Sequence, residues 1–196
     1  MARQVTLGRR FYDRDAAEVA PELLNKVLVA NGVRARLVEV EAYRGRDDPG
    51  AHSYRGPTAR NATMFDRPGL LYVYFSYGNH WCANAVCGPG ATPHAVLLRA
   101  AAPIAGLDTI RERRPRARRD LDLTAGPGRL GQALALDRSF DGMDLVRGPV
   151  RIVDDGVAPP EHPGVSTRIG LAPGKGDELP YRFYVPGDPH VSARPR

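Results

Sequence analysis

A tight hairpin near the start of the chain constrains the fold more than any other feature. Asn31-Gly32 lies within the largely apolar run 27–36, and a further strand-like run follows at 38–43. Asn-Gly between extended runs is the strongest short-range signal for a two-residue hairpin turn. The sequence therefore predicts two antiparallel strands joined at this turn.

The second of these strands carries an unusual set of side chains. Its sequence is Val-Glu-Val-Glu-Ala-Tyr, and side chains on a strand alternate between the two faces of the sheet. Glu39, Glu41 and Tyr43 therefore point the same way. Two carboxylates and one aromatic ring on a single surface are either the solvated face of a half-buried strand or a site of chemistry.

Length and composition indicate one folded domain, 1–196. The chain has 196 residues, of which 42% are hydrophobic, which suffices for one core and does not require two. No apolar run approaches the roughly 18 residues of a membrane span, and the first ten residues lack the apolar core of a signal peptide. We expect a cytoplasmic protein that does not insert into a membrane.

The cysteine and histidine content argues against an iron–sulfur cluster or another metal site. Cys82 and Cys87 are the only cysteines, and their odd spacing places them on opposite faces of one strand, where they can neither bridge nor chelate together. An iron–sulfur cluster needs about four thiolates. The five histidines show no metal-ligand spacing.

The charge balance favours a polyanionic partner. Net charge is +6, almost all of the positive charge is arginine, and arginine binds phosphate as a planar fork. A biased composition or a solvated loop would produce the same count. The densest cluster comprises Arg111, Arg113, Arg114, Arg116, Arg118 and Arg119.

Several further elements follow from local patterns. Asp15 and Glu18 have the spacing of a capping box and predict a helix to about Leu24. The polar connection 44–68 is too long to be a simple turn and is a candidate functional loop. Beyond this connection, the sequence predicts two strand-like runs that meet near Gly78-Asn79, a strand at 95–99 and a helix from about Pro103. It then predicts a helix from Gly126 through Leu136 and strands around 150–153 and 181–185.

Two of these features suit nucleic acid. The turn Gly126-Pro127-Gly128 at a helix start would offer free backbone N–H groups to a phosphate, although proline and glycine also begin helices for geometric reasons. The aromatic residues around the 70–86 hairpin could equally be core. Tyr77, Asn79 and His80 at its tip are harder to explain as core, because a tip projects from the sheet.

A series of motifs runs along the chain, at 38–45 with Asp47-Asp48, 51–53, 58–61, 64–65, 71–78, 82–84, 96–100, 126–130 and 182–185. Taken together, these motifs resemble the alkyladenine (3-methyladenine) DNA glycosylase family. The resemblance runs in unbroken order over about residues 8–194, which makes it specific. It implies a mixed α/β (α+β) fold: a single compact domain with a curved antiparallel sheet, flanking helices and a protruding hairpin that enters the DNA minor groove.

The resemblance also implies the catalytic residues. Glu41 would be the general base, activating a water held by the Arg99 side chain and the backbone carbonyl of Ile169 for attack on the sugar C1′. The chemistry of the residue types agrees, because cleavage of an N-glycosidic bond develops oxocarbenium character that a carboxylate stabilises. Glu39 lies on the same face, and the sequence does not decide which of the two carboxylates is buried.

Recognition residues carry over in the same way. Tyr43 would stack on one side of a flipped base, with His52 and Tyr74 on the other, and Asn84 would collide with the 2-amino group of guanine. Tyr77 would fill the gap left in the duplex. Asn79 departs from the apolar residue that many relatives have at this position. The remaining DNA-contacting positions are Asn79, His80, Thr58, Arg60, Gly126 and Arg129.

The implied activity is that of a monofunctional base-excision-repair enzyme without cofactors. It would act as a monomer on double-stranded DNA, flip out alkylated or deaminated purines of the 3-methyladenine, hypoxanthine and ethenoadenine type, and leave an abasic site. Lys26 and Lys175, the only lysines, match no catalytic position of the family, so no lyase step is expected. The alternatives are a carbohydrate glycosidase using Glu39 and Glu41, and a basic nucleic-acid-binding module without enzymatic activity.

Overall fold

One antiparallel sheet organises the protein. The structure is a computed structural model, and it describes residues 4–76 and 78–192. Within these ranges the strands are β1 (Val5–Thr6), β2 (Val27–Ala30), β3 (Val33–Tyr43), β4 (Leu71–Ser76), β5 (His80–Cys87), β6 (His94–Ala105), β7 (Arg151–Asp154), β8 (Gly164–Ser166) and β9 (Arg182–Tyr184). The α-helices are α1 (Arg9–Tyr12), α2 (Ala16–Leu23), α3 (Leu107–Arg113) and α4 (Pro127–Ala133).

The long strand β3 lies at the centre of this sheet. The strand order is β1-β7-β2-β3-β6-β5-β4, and β9 pairs with both β3 and β8. β6 covers one edge of β3, while β2 and β9 share the other edge, with β9 opposite Glu39, Val40 and Glu41. Irregular register between β3 and β6 around Glu39 adds local twist, which suits the curvature of the sheet. The predicted curved antiparallel sheet in a compact α+β domain is confirmed.

The predicted hairpin turn between β2 and β3 is present. Asn31 has φ of 49° and Gly32 has φ of 79°, the positive values that a type I′ turn requires at both central residues. Ala30 pairs with Val33 across it, and the Asn31 side chain donates to the carbonyl of Leu134 at 2.8 Å. The turn thus fixes the register of β3 and, with it, the face on which its carboxylates lie.

The two faces of the sheet have different surroundings. On β3, Val40 and Ala42 belong to the main hydrophobic core, whereas Glu39, Glu41 and Tyr43 point the other way. The other central strands repeat this division: Val73, Ala83, Ala85, Val96 and Leu98 are in the core, and Tyr72, Tyr74, Cys82, Asn84, Leu97 and Arg99 lie on the opposite face.

Helices cover the core face. α2 packs on β3 and buries Val19, Ala20 and Leu23. Its predicted start is confirmed, since the Asp15 side chain accepts a hydrogen bond from the Ala17 N–H at 2.8 Å. α4 packs against β5 and β6, with Leu130 in the core.

Two predicted helix boundaries are wrong. The helix expected from about Pro103 begins at Leu107, because β6 continues to Ala105 and the chain turns at Gly106, which has φ of +81°. Proline is tolerated there because β5 pairs only with the His94–Leu97 part of β6, so Pro103 has a strand on one side only. The Arg-rich segment is therefore partly helix α3.

The helix predicted through Leu136 ends at Ala133. Its C-cap is Leu134, and Ala135 has φ of 49°, a left-handed conformation that helices commonly adopt at their ends. The tail strands are confirmed as β7 and β9. The short strands β1 and β8, of two and three residues, were not predicted from the sequence.

Between residues 4 and 192, leaving aside residue 77, no helix has the length and apolar character needed to cross a membrane.

The fold makes a prediction at Gly131 in α4. In an unhindered helix, Gly→Ala stabilises a protein by about 0.5–1 kcal/mol. A Cβ at Gly131 would overlap the backbone carbonyl oxygen of Trp81 in β5, and that strand cannot move without disturbing the sheet. We therefore expect Gly131→Ala to lower the free energy of unfolding by about 1–3 kcal/mol, measured by urea denaturation. Unchanged or increased stability would contradict this close packing.

Candidate active site

The polar face of the sheet forms the wall of a cavity. Its volume is ≈ 320 Å³, and the 44–68 connection and residues 169–171 supply further parts of its wall. The cavity is lined by seven residues that were predicted from the sequence to form the site: Tyr43, His52, Arg60, Tyr74, Asn84, Arg99 and Ile169. The predicted grouping of these residues is thus observed, although they come from six separate segments.

One side of the cavity is aromatic. The rings of His52 and Tyr74 have centroids 4.4 Å apart, and Tyr72 stacks on Tyr74 at 5.5 Å. The Tyr72 hydroxyl lies 3.1 Å from His52 Nδ1. Partial burial and the charge of Arg60 lower the pKa of His52, so that its imidazole is neutral at pH 7. Tyr72 was not selected from the sequence, although its two-residue spacing from Tyr74 places both on one face.

Glu41 is fully buried beside the cavity. Its Oε2 accepts a hydrogen bond from the Tyr43 hydroxyl at 2.9 Å, and its Oε1 accepts one from the Ile169 N–H at 2.8 Å. Arg99 Nη1 lies 3.2 Å from the same Oε1. Burial and the neighbouring carboxylate raise the pKa of Tyr43 well above its usual value, so the phenol stays protonated and donates.

Glu39 is equally buried, and two of its three partners, Arg182 and Ser192, are not among the residues that line the cavity. Its Oε1 accepts from Arg99 Nε at 2.9 Å and from Arg182 Nε at 2.7 Å, and its Oε2 accepts from the Ser192 N–H at 2.6 Å. Burial alone would raise the pKa of Glu39, but Arg99, Ser192 and Arg182 together lower it. The sequence left open which carboxylate is buried; both are, and Arg99 lies between them.

Arg182 and Ser192 were not identified as site residues from the sequence. They lie more than 140 positions from Glu39, in the tail of the chain, and no local pattern connects them to it. Arg182 belongs to one of the motifs of the resemblance, which is the only signal that could have drawn attention to it.

Asn84 and the 44–68 connection complete the wall. Asn84 is buried, and its Nδ2 donates to the carbonyl of Tyr72 at 3.1 Å, which fixes the carboxamide. Arg60 donates to the Phe75 carbonyl at 2.8 Å and lies over the Tyr74 ring at 5.6 Å. Thr58 donates through its N–H and its hydroxyl to the side chain of Asn61.

The hairpin tip lies beside the start of α4. Tyr77 is outside the described residues. Asn79 and His80 are exposed, and the His80 ring is so close to Gly128 that a Cβ there would lie 2.6 Å from its Cγ. Of the backbone N–H groups expected to be free at the turn 126–128, that of Gly126 donates to the Arg99 carbonyl at 3.1 Å.

Most arginines of the 111–119 cluster have partners within the protein. Arg111 pairs with Asp108 and Asp120, and Arg119 pairs with Asp122. The exposed Arg129 lies 3.5 Å from Asp122 as well. Arg113 and Arg114 donate to backbone carbonyls and to Gln132. The cluster therefore offers less free charge than its composition indicates.

The two cysteines face opposite ways, as predicted. Cys82 lines the cavity and Cys87 lies in the core, and both are free thiols. In the described part of the chain, no three His, Cys, Asp or Glu side chains are grouped so that they could hold a metal ion.

Comparison with known proteins identifies the family to which this chain belongs. Residues 10–189 match the methylpurine-DNA glycosylase family, and the chain belongs to it. It is 53% identical over 189 residues to a protein of Burkholderia lata, covering 95% of this chain and 90% of that protein. It is 45% identical to a protein of Streptomyces avermitilis (95% and 90% covered) and 43% identical to one of Carboxydothermus hydrogenoformans (96% and 99%). All three are named "Putative 3-methyladenine DNA glycosylase".

Family membership decides between the alternatives left open by the sequence. The protein is a DNA-repair hydrolase that acts on N-glycosyl bonds of alkylated bases, and DNA is its substrate. A carbohydrate glycosidase and a purely binding module are therefore not its class.

The buried position of Glu39 makes a second prediction. Glu39→Gln keeps the shape but removes the buried carboxylate that faces Arg99 and Arg182, so we expect the free energy of unfolding to fall by about 3 kcal/mol. The pKa of Glu39 is lowered in the folded protein. The contribution of Glu39 to stability is therefore present above the pKa that it has in the unfolded chain, and it is lost as the pH falls through its pKa in the folded protein. The difference in free energy of unfolding between Glu39→Gln and wild type should be at its full value above about pH 5 and should shrink below about pH 4.

The measurement is urea denaturation of both proteins across that pH range. Glu161→Gln, at an exposed carboxylate, makes the same charge change and is the matched control. A Glu39→Gln variant as stable as this control would show that the buried ion pairs contribute nothing.

Proposed function

We propose that the enzyme flips a damaged purine into this cavity and hydrolyses its N-glycosidic bond with a water activated by Glu41, leaving an abasic site. One observation carries the proposal: the three residues that hold the buried Glu41 carboxylate, Tyr43, Arg99 and Ile169, all line the cavity. A carboxylate can accept about four hydrogen bonds. Two hydrogen bonds, from Tyr43 and Ile169, and the ion pair with Arg99 leave Glu41 with acceptor capacity for a water.

The size of the cavity supports a single base as its occupant. At ≈ 320 Å³ it is at the lower end of small-molecule sites, which run from about 300 to 1,000 Å³. Enzymes that act on a base within a duplex must take it out of the stack. A cavity bounded by the sheet on one side and the 44–68 connection on the other would hold the base away from its neighbours.

The chemistry follows from charge. As the bond between C1′ and the base nitrogen breaks, its electron pair leaves with the base and the sugar gains oxocarbenium character. Glu41 stabilises this positive charge, and the water oxygen bonds to C1′ while its proton passes to Glu41. Arg99 and the backbone carbonyl of Ile169 would hold the water, with Glu39 keeping Arg99 in place.

Stacking supports selection of the damaged base. Tyr43 would cover one face, with His52 and Tyr74 on the other. Alkylation makes a purine electron-poor or cationic, which strengthens its attraction to aromatic faces and weakens its glycosidic bond. We include 3-methyladenine, hypoxanthine and ethenoadenine among the substrates. Asn84, held by its bond to Tyr72, would exclude the 2-amino group of guanine.

The proposed DNA contacts come from the hairpin tip, the 44–68 connection and the start of α4. Tyr77 would enter the minor groove as a wedge, and Asn79 and His80, which follow it in the sequence, are exposed. The backbone-contacting positions would be Thr58, Arg60, Gly126 and Arg129, which locate the enzyme on the duplex without reading sequence. We propose that it works as a monomer on the DNA of the nucleoid, to which its net charge of +6 attracts it.

The decisive experiment substitutes Glu41. Glu41→Gln preserves size and hydrogen bonding but cannot accept a proton at neutral pH. We expect base release to fall by at least 10²–10⁴-fold, while affinity for damaged duplex stays within about tenfold. Single-turnover excision of hypoxanthine at saturating enzyme measures the first, and a binding titration the second.

Glu161→Gln is again the matched control, because Glu39 contacts Arg99 and cannot serve as one. An active Glu41→Gln enzyme would overturn the assignment of the general base.

A further prediction concerns the abasic product. Nicking by β-elimination requires an amine that forms a Schiff base with the sugar. Lys26 is buried and pairs with Asp154 at 2.8 Å. The loop of Lys175 lies near the cavity, although it is distant from the other site residues in the sequence. The Lys175 carbonyl is 2.8 Å from where a Cβ of Gly50 would lie, and Gly50 lines the cavity. No lysine, however, is among the described residues that line the cavity.

We therefore expect no covalent protein–DNA adduct after borohydride treatment during turnover. Trapping of an adduct that forms as fast as the base is released would contradict a purely hydrolytic enzyme, and loss of that adduct in Lys175→Arg would identify the amine.

A further inference from the structure

A buried ion pair lies behind Tyr43. The Arg168 guanidinium carbon is 4.5 Å from the centroid of the Tyr43 ring and 5.5 Å from that of Tyr181. Tyr43 lines the cavity, whereas Arg168 does not. The guanidinium therefore covers the face of Tyr43 that is turned away from the cavity.

Asp48 balances the charge of this guanidinium. Arg168 Nη1 and Nη2 lie 2.5 and 2.7 Å from the two carboxylate oxygens of Asp48, and both side chains have no exposed surface. Asp48 also accepts from the backbone N–H groups of Arg44 and Gly50 at 3.0 Å. Arg168 donates in addition to the carbonyls of Ala42 and Gly176 at 3.0 Å.

This arrangement matters for a pocket that stacks charged bases. A base on the cavity face of Tyr43 would lie roughly 9 Å from the guanidinium, because stacked rings have centroids about 4.5 Å apart. In the interior of a protein, an unbalanced charge at that distance changes the binding of a cation by at least about tenfold, or about 1.4 kcal/mol. A neutral base would be almost unaffected. Asp48, in contact with the guanidinium, cancels most of this field.

We infer that the Arg168–Asp48 pair is a specificity-determining element that sets how the enzyme discriminates between cationic and neutral bases. The cation holds the Tyr43 ring by stacking, and the anion removes the repulsion that this cation would otherwise exert on a positively charged purine. The inference rests on the proposed stacking of the target base on Tyr43. It adds that the charge behind the ring, and not only the ring itself, decides which lesions are removed.

Two single variants test this with opposite expected signs. Asp48→Asn leaves the guanidinium unbalanced and should lower the excision rate of cationic relative to neutral bases about tenfold. Arg168→Gln leaves the carboxylate unbalanced and should raise the same ratio. The double variant is neutral again and should return the ratio to within about threefold of wild type. Arg168→Lys retains the charge, so its ratio should stay near wild type even if its rates fall.

The measured quantities are single-turnover rates for 3-methyladenine in dimethyl-sulfate-treated DNA and for hypoxanthine in a synthetic duplex. A purely structural role of the pair would lower both rates together and leave their ratio unchanged in every variant, which would overturn the inference. If one single variant does not fold, the other decides alone, because the two signs are opposite.

Tyr43→Leu separates this result from failure of the proposed function. If Tyr43→Leu leaves both rates unchanged, the proposed stacking is wrong and the inference falls with it. If Tyr43→Leu slows excision while the ratio is constant in Asp48→Asn and Arg168→Gln, the stacking stands and only the role of the ion pair is refuted.

Discussion

The position of Arg99 between two buried carboxylates is the interaction on which the site depends. Glu39 and Glu41 are both inaccessible to solvent, and burying an ion costs several kcal/mol. Arg99 faces both of them, and Arg182 brings the charge of this group to zero. The geometry is possible because β3 and β6 are paired, which brings Arg99 next to the carboxylates of the neighbouring strand.

The alternation of side chains along the sheet gives one set of strands two functions. On β3 to β6, residues on one face close the hydrophobic core, and their immediate neighbours in sequence form the wall of the cavity. The residues proposed to be catalytic are therefore placed largely by central strands of the sheet. Side chains on such strands are positioned more precisely than those on loops, which would suit the proposed reaction of a water with a carboxylate and a sugar.

Charge is distributed differently from what the composition indicates. Many of the arginines are paired with carboxylates. Asp108, Asp120 and Asp122 pair with the Arg111–Arg119 segment, and Asp48 pairs with Arg168 behind Tyr43. The net charge of +6 still favours DNA. Local affinity for phosphate, however, depends on which guanidinium groups have no carboxylate partner, and only the folded structure shows this.

Much of this protein could be predicted from the sequence, because it depends on local patterns. The Asn31-Gly32 turn needs positive φ at two adjacent residues, and the period of two in 38–43 assigns Glu39, Glu41 and Tyr43 to one face whatever lies opposite. The boundaries at Pro103 and Leu136 failed because strand pairing and a left-handed residue override local helix signals. Tertiary structure alone decided the partners of each charge. Arg182 and Ser192 reach Glu39 from 143 and 153 residues away, and Arg168 reaches Asp48 from 120. Periodicity specifies the direction of a side chain but carries no information about what another part of the chain will place against it.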